Sequence, residues 1–177
     1  MIFHNTKIEG LFLIEPEIKI DERGYFSRVF CEEELKKNGI DFNIVQINRS
    51  FTNKKGTIRG MHFQKEPKSE GKMIQCVKGA VYDVAIDLRP KSPTYSQWVA
   101  EELSEENKKM FFVPKGFAHG FQTLTDKCEL LYFMTEYYFP KHASGVRWDD
   151  PFFNIKWPLG DSLLSERDRA WPLTKQD

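Results

Sequence analysis

The feature that most constrains this chain is its punctuation. Eight short β-type runs, at 43–50, 57–64, 73–78, 81–88, 97–103, 109–113, 118–124 and 129–139, follow one another with only Gly-, Pro-, Asn- or Lys-rich turns between them. No stretch of helical period separates them, so right-handed βαβ units and a parallel sheet are excluded, and an all-β antiparallel sandwich or barrel is expected. The N-terminal part adds two apolar runs broken at Pro16, readable as a strand pair or one bent strand, then a turn at 21–24 and renewed alternation at 25–30. Residues 31–39 carry the clearest helix: acids at its start, lysines at its end and Gly39 as C-cap, the polarity a helix dipole favours. Beyond Pro140 the pattern becomes irregular, and Trp148, Phe152, Phe153, Trp157 and Trp171 are expected to pin this tail to the barrel.

A chain of 177 residues is most economically one domain, 1–177, able to bury about 70% of its unfolded surface. Its 26 basic and 26 acidic residues are mixed along the sequence, without the basic stripe that nucleic-acid binding requires. No apolar run approaches the ~18 residues of a membrane span, and the first residues lack the regions of a signal peptide, so a cytoplasmic location without membrane or nucleic-acid partners is expected. Cys31, Cys76 and Cys128 are odd in number and lack metal-type spacing, which points to reduced thiols.

The histidines narrow the chemistry. His119 lies in Pro114-Lys115-Gly116-Phe117-Ala118-His119, a Pro-x-Gly-x-x-His turn that resembles the second motif of cupin barrels. A metal-binding cupin also needs a His-x-His pair in its first motif, and here the position two after His62 is Gln64, so no metal is expected. Without metal, a histidine in a polar barrel mouth serves best as acid or base, since its ordinary pKa lies near 6.5. Arg23, Arg59, Lys72 and Tyr132 fall in or beside neighbouring expected strands.

Five ordered motifs then carry a resemblance. Gly56-Thr57-Ile58-Arg59-Gly60-Met61-His62-Phe63-Gln64, the run 79–89, the run 114–121, Gly145-Val146-Arg147-Trp148-Asp149-Asp150-Pro151 and Leu164-Ser165-Glu166-Arg167-Asp168 together resemble the dTDP-4-dehydrorhamnose 3,5-epimerase family, from about Lys7 to Pro172. The resemblance implies a cupin jelly-roll barrel with a few short helices and an irregular C-terminal segment. It also implies a homodimer without cofactor whose partner is a nucleotide-diphosphate 4-keto sugar, inverted at C3 and C5 next to its ketone. Single-carbon epimerisation, 3,4-keto isomerisation on another nucleotide sugar, and non-catalytic binding of a sugar nucleotide are the competing expectations.

Such an inversion needs a base on one face, an electrophile for the enolate oxygen and an acid on the other face. By resemblance these are His62, Lys72 and Tyr132, with Asp168 orienting His62. Asp83 is a second candidate for the orienting acid, and Ser165-x-x-Asp168 also reads as a helix-capping box. Arg23 and Arg59 match residues that hold the diphosphate, a task suited to a guanidinium fork. Gln46, Asn48, His119, Tyr138 and Arg167 match further substrate contacts. Arg28, Phe133 and Ala143 depart from the family pattern and leave the nucleotide, the sugar and the carbon inverted open.

Arg59 and His62 stand three apart, so a regular strand would send them to opposite faces. Both roles require one cavity. Gly60 is therefore predicted to permit a bulge or turn between them that re-aims one side chain.

Overall fold

The computed structural model describes residues 1–160 and 162–174; position 161 and positions 175–177 of the expected domain lie outside the described residues. Thirteen strands form: β1 (Ile2–Asn5), β2 (Phe12–Glu15), β3 (Ile18–Asp21), β4 (Gly24–Ser27), β5 (Gln46–Thr52), β6 (Ile58–Gln64), β7 (Lys72–Lys78), β8 (Ala80–Asp87), β9 (Trp98–Ser104), β10 (Met110–Val113), β11 (Phe117–Thr123), β12 (Cys128–Met134) and β13 (Ala143–Gly145). Two short helices, α1 (Glu32–Lys37) and α2 (Glu166–Arg169), complete the set. A six-stranded sheet runs β1-β2-β10-β7-β12-β5, a five-stranded one β13-β6-β11-β8-β9, and β3-β4 stand apart as a hairpin. Neighbours within the sheets are antiparallel, as the short turns require. The all-β jelly-roll class expected from the sequence is the one observed.

The central strands of both large sheets are covered on both faces, which explains why β7, β8, β10 and β11 are mostly buried along their whole length, whereas the outer face of edge strand β5 leaves Ile47 and Phe51 exposed. Between the sheets pack Leu13, Ile74, Cys76, Val81, Ala85, Phe111, Phe117, Phe121 and Leu130. The outer face of the six-stranded sheet receives Leu35 of α1 with Ile40 and Phe42, which meet Met73, Met110, Phe112 and Phe133. The outer face of the five-stranded sheet receives the tail, Phe152, Phe153 and Trp157 against Met61, Val84 and Ile86. Each fully buried aliphatic or aromatic side chain in these layers contributes about 1.5–3 kcal/mol. The tail is anchored to the sheet by this packing and by Trp98 Nε1 on β9, which donates to Phe153 O at 3.0 Å; within the tail Trp157 Nε1 donates to Trp148 O at 2.9 Å. Cys76 and Cys128 are buried free thiols, and burial pushes Cys76 up to about 12. Among the described residues, no helix is long and apolar enough to cross a membrane.

Three local expectations meet a different outcome. The runs flanking Pro16 do not pair with each other: β2 joins the six-stranded sheet through β1 and β10, while β3 turns away to pair with β4. The last long run ends at Met134 rather than at 139, because the Thr135 hydroxyl takes Gly71 N–H at 2.7 Å and the Gln64 amide takes Phe139 N–H at 2.6 Å, drawing the chain off the sheet. Helix α1 is capped by Asn38, with Gly39 following at φ +76°, the left-handed position where a missing Cβ removes the penalty.

Candidate active site

Strand parity aims a set of polar side chains into the gap between the sheets. On β7, Lys72 shares the inward face with Ile74 and Cys76; on β12, Tyr132 shares it with Leu130. On β8, Asp83 lies between inward Val81 and Ala85, and on β11 His119 lies between inward Phe117 and Phe121. Gln46, Asn48 and Ser50 alternate along β5, with Asn48 opposite Tyr132 and Ser50 opposite Leu130. Lys72, Tyr132, His119, Gln46, Asn48 and Ser50 line a cavity of about 750 Å³, with Asp83 buried behind His119.

Strand β6 breaks its own parity, as the spacing of Arg59 and His62 demands. His119 pairs with His62 and Phe121 with Arg59, so two residues of β6, Gly60 and Met61, stand opposite Gly120 alone. This is a β-bulge. Because His119 and Phe121 both point inward, so do their partners, and Arg59 and His62 both line the cavity. Gly60 has φ +143°, and a Cβ there would lie 2.5 Å from Gly120 Cα. Only glycine at both positions permits this approach.

His62 Nε2 lies 2.6 Å from Asp168 Oδ1. Burial pushes the Asp168 carboxyl up, but hydrogen bonds from His62, Gly60 N–H and the Ser165 region outweigh it and hold the carboxyl below the usual range. A carboxylate only accepts, so Nε2 carries the proton and Nδ1 keeps the free lone pair. Ser165 is also the N-cap of α2, its hydroxyl accepting from Asp168 N–H at 3.1 Å. The cap and the dyad are therefore compatible: the backbone of Asp168 is capped while its side chain orients His62. Asp83 is not the partner of His62; its Oδ1 meets His119 Nε2 at 2.7 Å, and its Oδ2 is buried without a partner. Burial raises the Asp83 carboxyl, against the opposing effect of His119.

Across the cavity, Tyr132 Oη lies 3.0 Å from Ser50 Oγ and its ring packs edge-on to His119. Burial pushes its phenol well above the ordinary tyrosine range, outweighing the Ser50 hydrogen bond. Lys72 Nζ lies 2.8 Å from Glu70 Oε1, and Glu70 Oε2 accepts Gln64 N–H at 2.9 Å. The Gln64 side chain is committed to backbone: its amide donates to Lys68 O and Tyr137 O, and its oxygen accepts from Phe139 N–H. Arg59 donates through Nε to Thr52 Oγ1 at 2.9 Å and through Nη2 to Phe51 O at 3.0 Å, leaving its remaining N–H groups for a ligand.

Tyr138 and Arg167 also line the cavity, Arg167 stacking 5.4 Å from Trp171. Arg23 does not line it. It sits at the tip of the β3–β4 hairpin, exposed and paired with Asp21 at 2.6 Å. Sequence reasoning passed over Ser50 and Glu70. Period-two spacing from Gln46 and Asn48 was signal enough for Ser50; Glu70 lies before β7, where no strand parity could place it.

Fold and cavity together define a cupin-type jelly roll with a histidine–carboxylate pair in a polar pocket between its sheets. A family model described as dTDP-4-dehydrorhamnose 3,5-epimerase matches residues 5–176, and the chain belongs to that family. The dTDP-4-dehydrorhamnose 3,5-epimerase of Methanothermobacter thermautotrophicus is 46% identical over 172 residues, covering 96% of this chain and 92% of its own. The crystal structure of the Bacillus anthracis str. Ames protein of that name, with TDP and PPi bound, has a TM-score of 0.95 at 43% identity, covering 98% of this chain and 99% of that one. The Legionella pneumophila dTDP-6-deoxy-D-glucose-3,5-epimerase, in complex with dTDP-4-keto-L-rhamnose, has a TM-score of 0.92 at 42% identity, covering 97% and 92%.

Proposed function

We propose that the chain inverts C3 and C5 of dTDP-4-dehydro-6-deoxy-D-glucose to give dTDP-4-dehydro-L-rhamnose. The observation that carries this reading is the placement of base and acid on facing sheets: His62 with Asp168 on the five-stranded side, Tyr132 on the six-stranded side. A sugar ring lying between them meets one group on each face, as inversion requires. His62 Nδ1 takes the proton from the carbon next to the ketone, and Asp168 stabilises the imidazolium. Lys72, held by Glu70, places its ammonium against the C4 oxygen, where enolate charge develops. Tyr132 gives a proton to the opposite face.

Arg59, Gln46, Asn48, His119, Tyr138 and Arg167 hold the rest of the nucleotide sugar. The functional unit is a homodimer. Hairpin β3–β4 exposes Ile20 at 80% and Tyr25 at 60% on one face and Phe26 at 68% on the other, apolar surface suited to a second copy. That copy's cavity receives Arg23.

In D₂O, turnover should place deuterium at both C3 and C5, read by NMR; no exchange at either carbon defeats the reading, and deuterium at one carbon reassigns the chain to single-carbon epimerisation. His62→Ala should lower the rate by about 10²–10⁴-fold, and unchanged turnover would remove His62 from the mechanism.

A further inference from the structure

Among the described residues, Ser50 is the one side chain hydrogen-bonded to the Tyr132 hydroxyl, at 3.0 Å. It is half-buried on β5 and lines the cavity beside Asn48, so one side of its hydroxyl faces Tyr132 and the other the cavity. The other polar groups nearby have partners of their own. His119 Nε2 is engaged with Asp83 and touches Tyr132 only through ring packing; Lys72 is held by Glu70.

Each inversion leaves His62 with one proton more and Tyr132 with one fewer. The phenol is well suited to donate once, because burial keeps it protonated at rest. The same burial makes the phenolate unfavourable to leave behind. Tyr132 itself is half-buried and lines the cavity, and among the described residues Ser50 is the side chain that both hydrogen-bonds to Oη and lines the cavity beside it.

We infer that Ser50 relays the proton that restores Tyr132 after each inversion. The Ser50 O–H proton passes to the phenolate oxygen while a water in the cavity gives a proton to Ser50 Oγ. The hydroxide so formed is neutralised by the proton that His62 releases, and the site returns to its starting state. Ser50 acts through Tyr132 and is a positioning residue; the inference rests on the proposed role of Tyr132 as acid.

The test is rapid-quench kinetics on Ser50→Ala, Ser50→Thr and Tyr132→Phe with dTDP-4-dehydro-6-deoxy-D-glucose. Ser50→Ala should invert a single carbon of about one sugar per site at the parent rate, then complete the second inversion and all later ones about tenfold or more slower, because only the first proton is preloaded. Ser50→Thr keeps the hydroxyl and should abolish the burst, restoring a steady rate near that of the parent. A Ser50→Ala steady rate equal to the parent's, or an equal slowing of the first and later inversions, overturns the relay. A Tyr132→Phe variant that still inverts both carbons at the parent rate overturns the reading beneath it; loss of inversion in Tyr132→Phe with Ser50→Ala unaffected overturns the relay alone.

Discussion

At the scale of the residue, the two histidine–aspartate pairs differ in exposure, and the difference supports the tasks proposed for them. His62 keeps 42% of its side chain exposed to the cavity, whereas His119 keeps 6% and Asp83 none. A base must reach substrate, so the open pair is the one equipped for proton abstraction. Asp168→Asn should retain the shape but let an amide donate to Nε2, moving the imidazole proton to Nδ1 and blocking the base; kcat should fall by about 10²–10⁴-fold with KM little changed. A kcat within twofold of the parent would remove Asp168 from the dyad. The same variant has a stability signature. The folded Asp168 carboxyl is depressed below its ordinary value of 3.8, so its contribution is full above that value and is lost as pH falls through the lower folded one. The parent should therefore unfold at higher temperature than Asp168→Asn near pH 7, with the gap closing below about pH 4.

At the scale of the element, the site depends on the β6 bulge. A Cβ at Gly120 would lie 2.6 Å from Met61 Sδ, 2.8 Å from Arg59 O and 2.9 Å from Gly60 Cα, and two of these three atoms are backbone. Gly120→Ala should therefore cost about 1–3 kcal/mol of stability, measured by denaturant unfolding, and should lower kcat/KM beyond what unfolding explains, since Arg59 and His62 flank the displaced segment. Wild-type activity in a folded Gly120→Ala protein would show that the bulge does not position the pair. The bulge is legible once the resemblance gives Arg59 and His62 a common cavity, because residues three apart can share it only if the strand gains a residue. The inward ladders of β5, β7 and β12 are legible for the same reason, period-two spacing in Gln46-x-Asn48 and the runs around Lys72 and Tyr132. What the sequence conceals are elements too short to carry a period: β1 and β13 exist because β2 and β6 hold them, whereas the single turn of α2 is announced only by its serine cap. The end of β12 is hidden too, because it is set by hydrogen bonds to Gly71 and Gln64, which meet the chain only in three dimensions. The departure of Arg23 from the cavity has the same origin, since hairpin β3–β4 alternates like any strand pair but packs on neither sheet.

At the scale of the whole molecule, that hairpin is the part a single chain leaves without a surface to lie on. Ile18, Ile20, Tyr25 and Phe26 are all exposed, and an isolated two-stranded ribbon is marginal in water. Its anchor within the chain is slight, Lys108 Nζ resting 4.7 Å from the Tyr25 ring. A second copy of the chain supplies the missing surface in the proposed dimer, and two-fold symmetry makes the exchange reciprocal: each hairpin that leaves its own body brings one Arg23 to the other. Arg23→Ala should then weaken binding of the substrate by about tenfold or more through loss of a charge-assisted phosphate contact. His62→Ala should be inactive for a different reason. If the two defects lie in separate cavities, they can complement. Co-expression of the two variants under different affinity tags, with purification of the doubly tagged dimer, should yield one cavity that has both Arg23 and His62 and one that has neither. Such dimers should show about half the activity of the parent per dimer at substrate levels where Arg23→Ala alone is nearly silent. If Arg23 served its own chain, every cavity in the mixed dimer would lack one group, and activity per dimer would stay at the mean of the two variants measured separately.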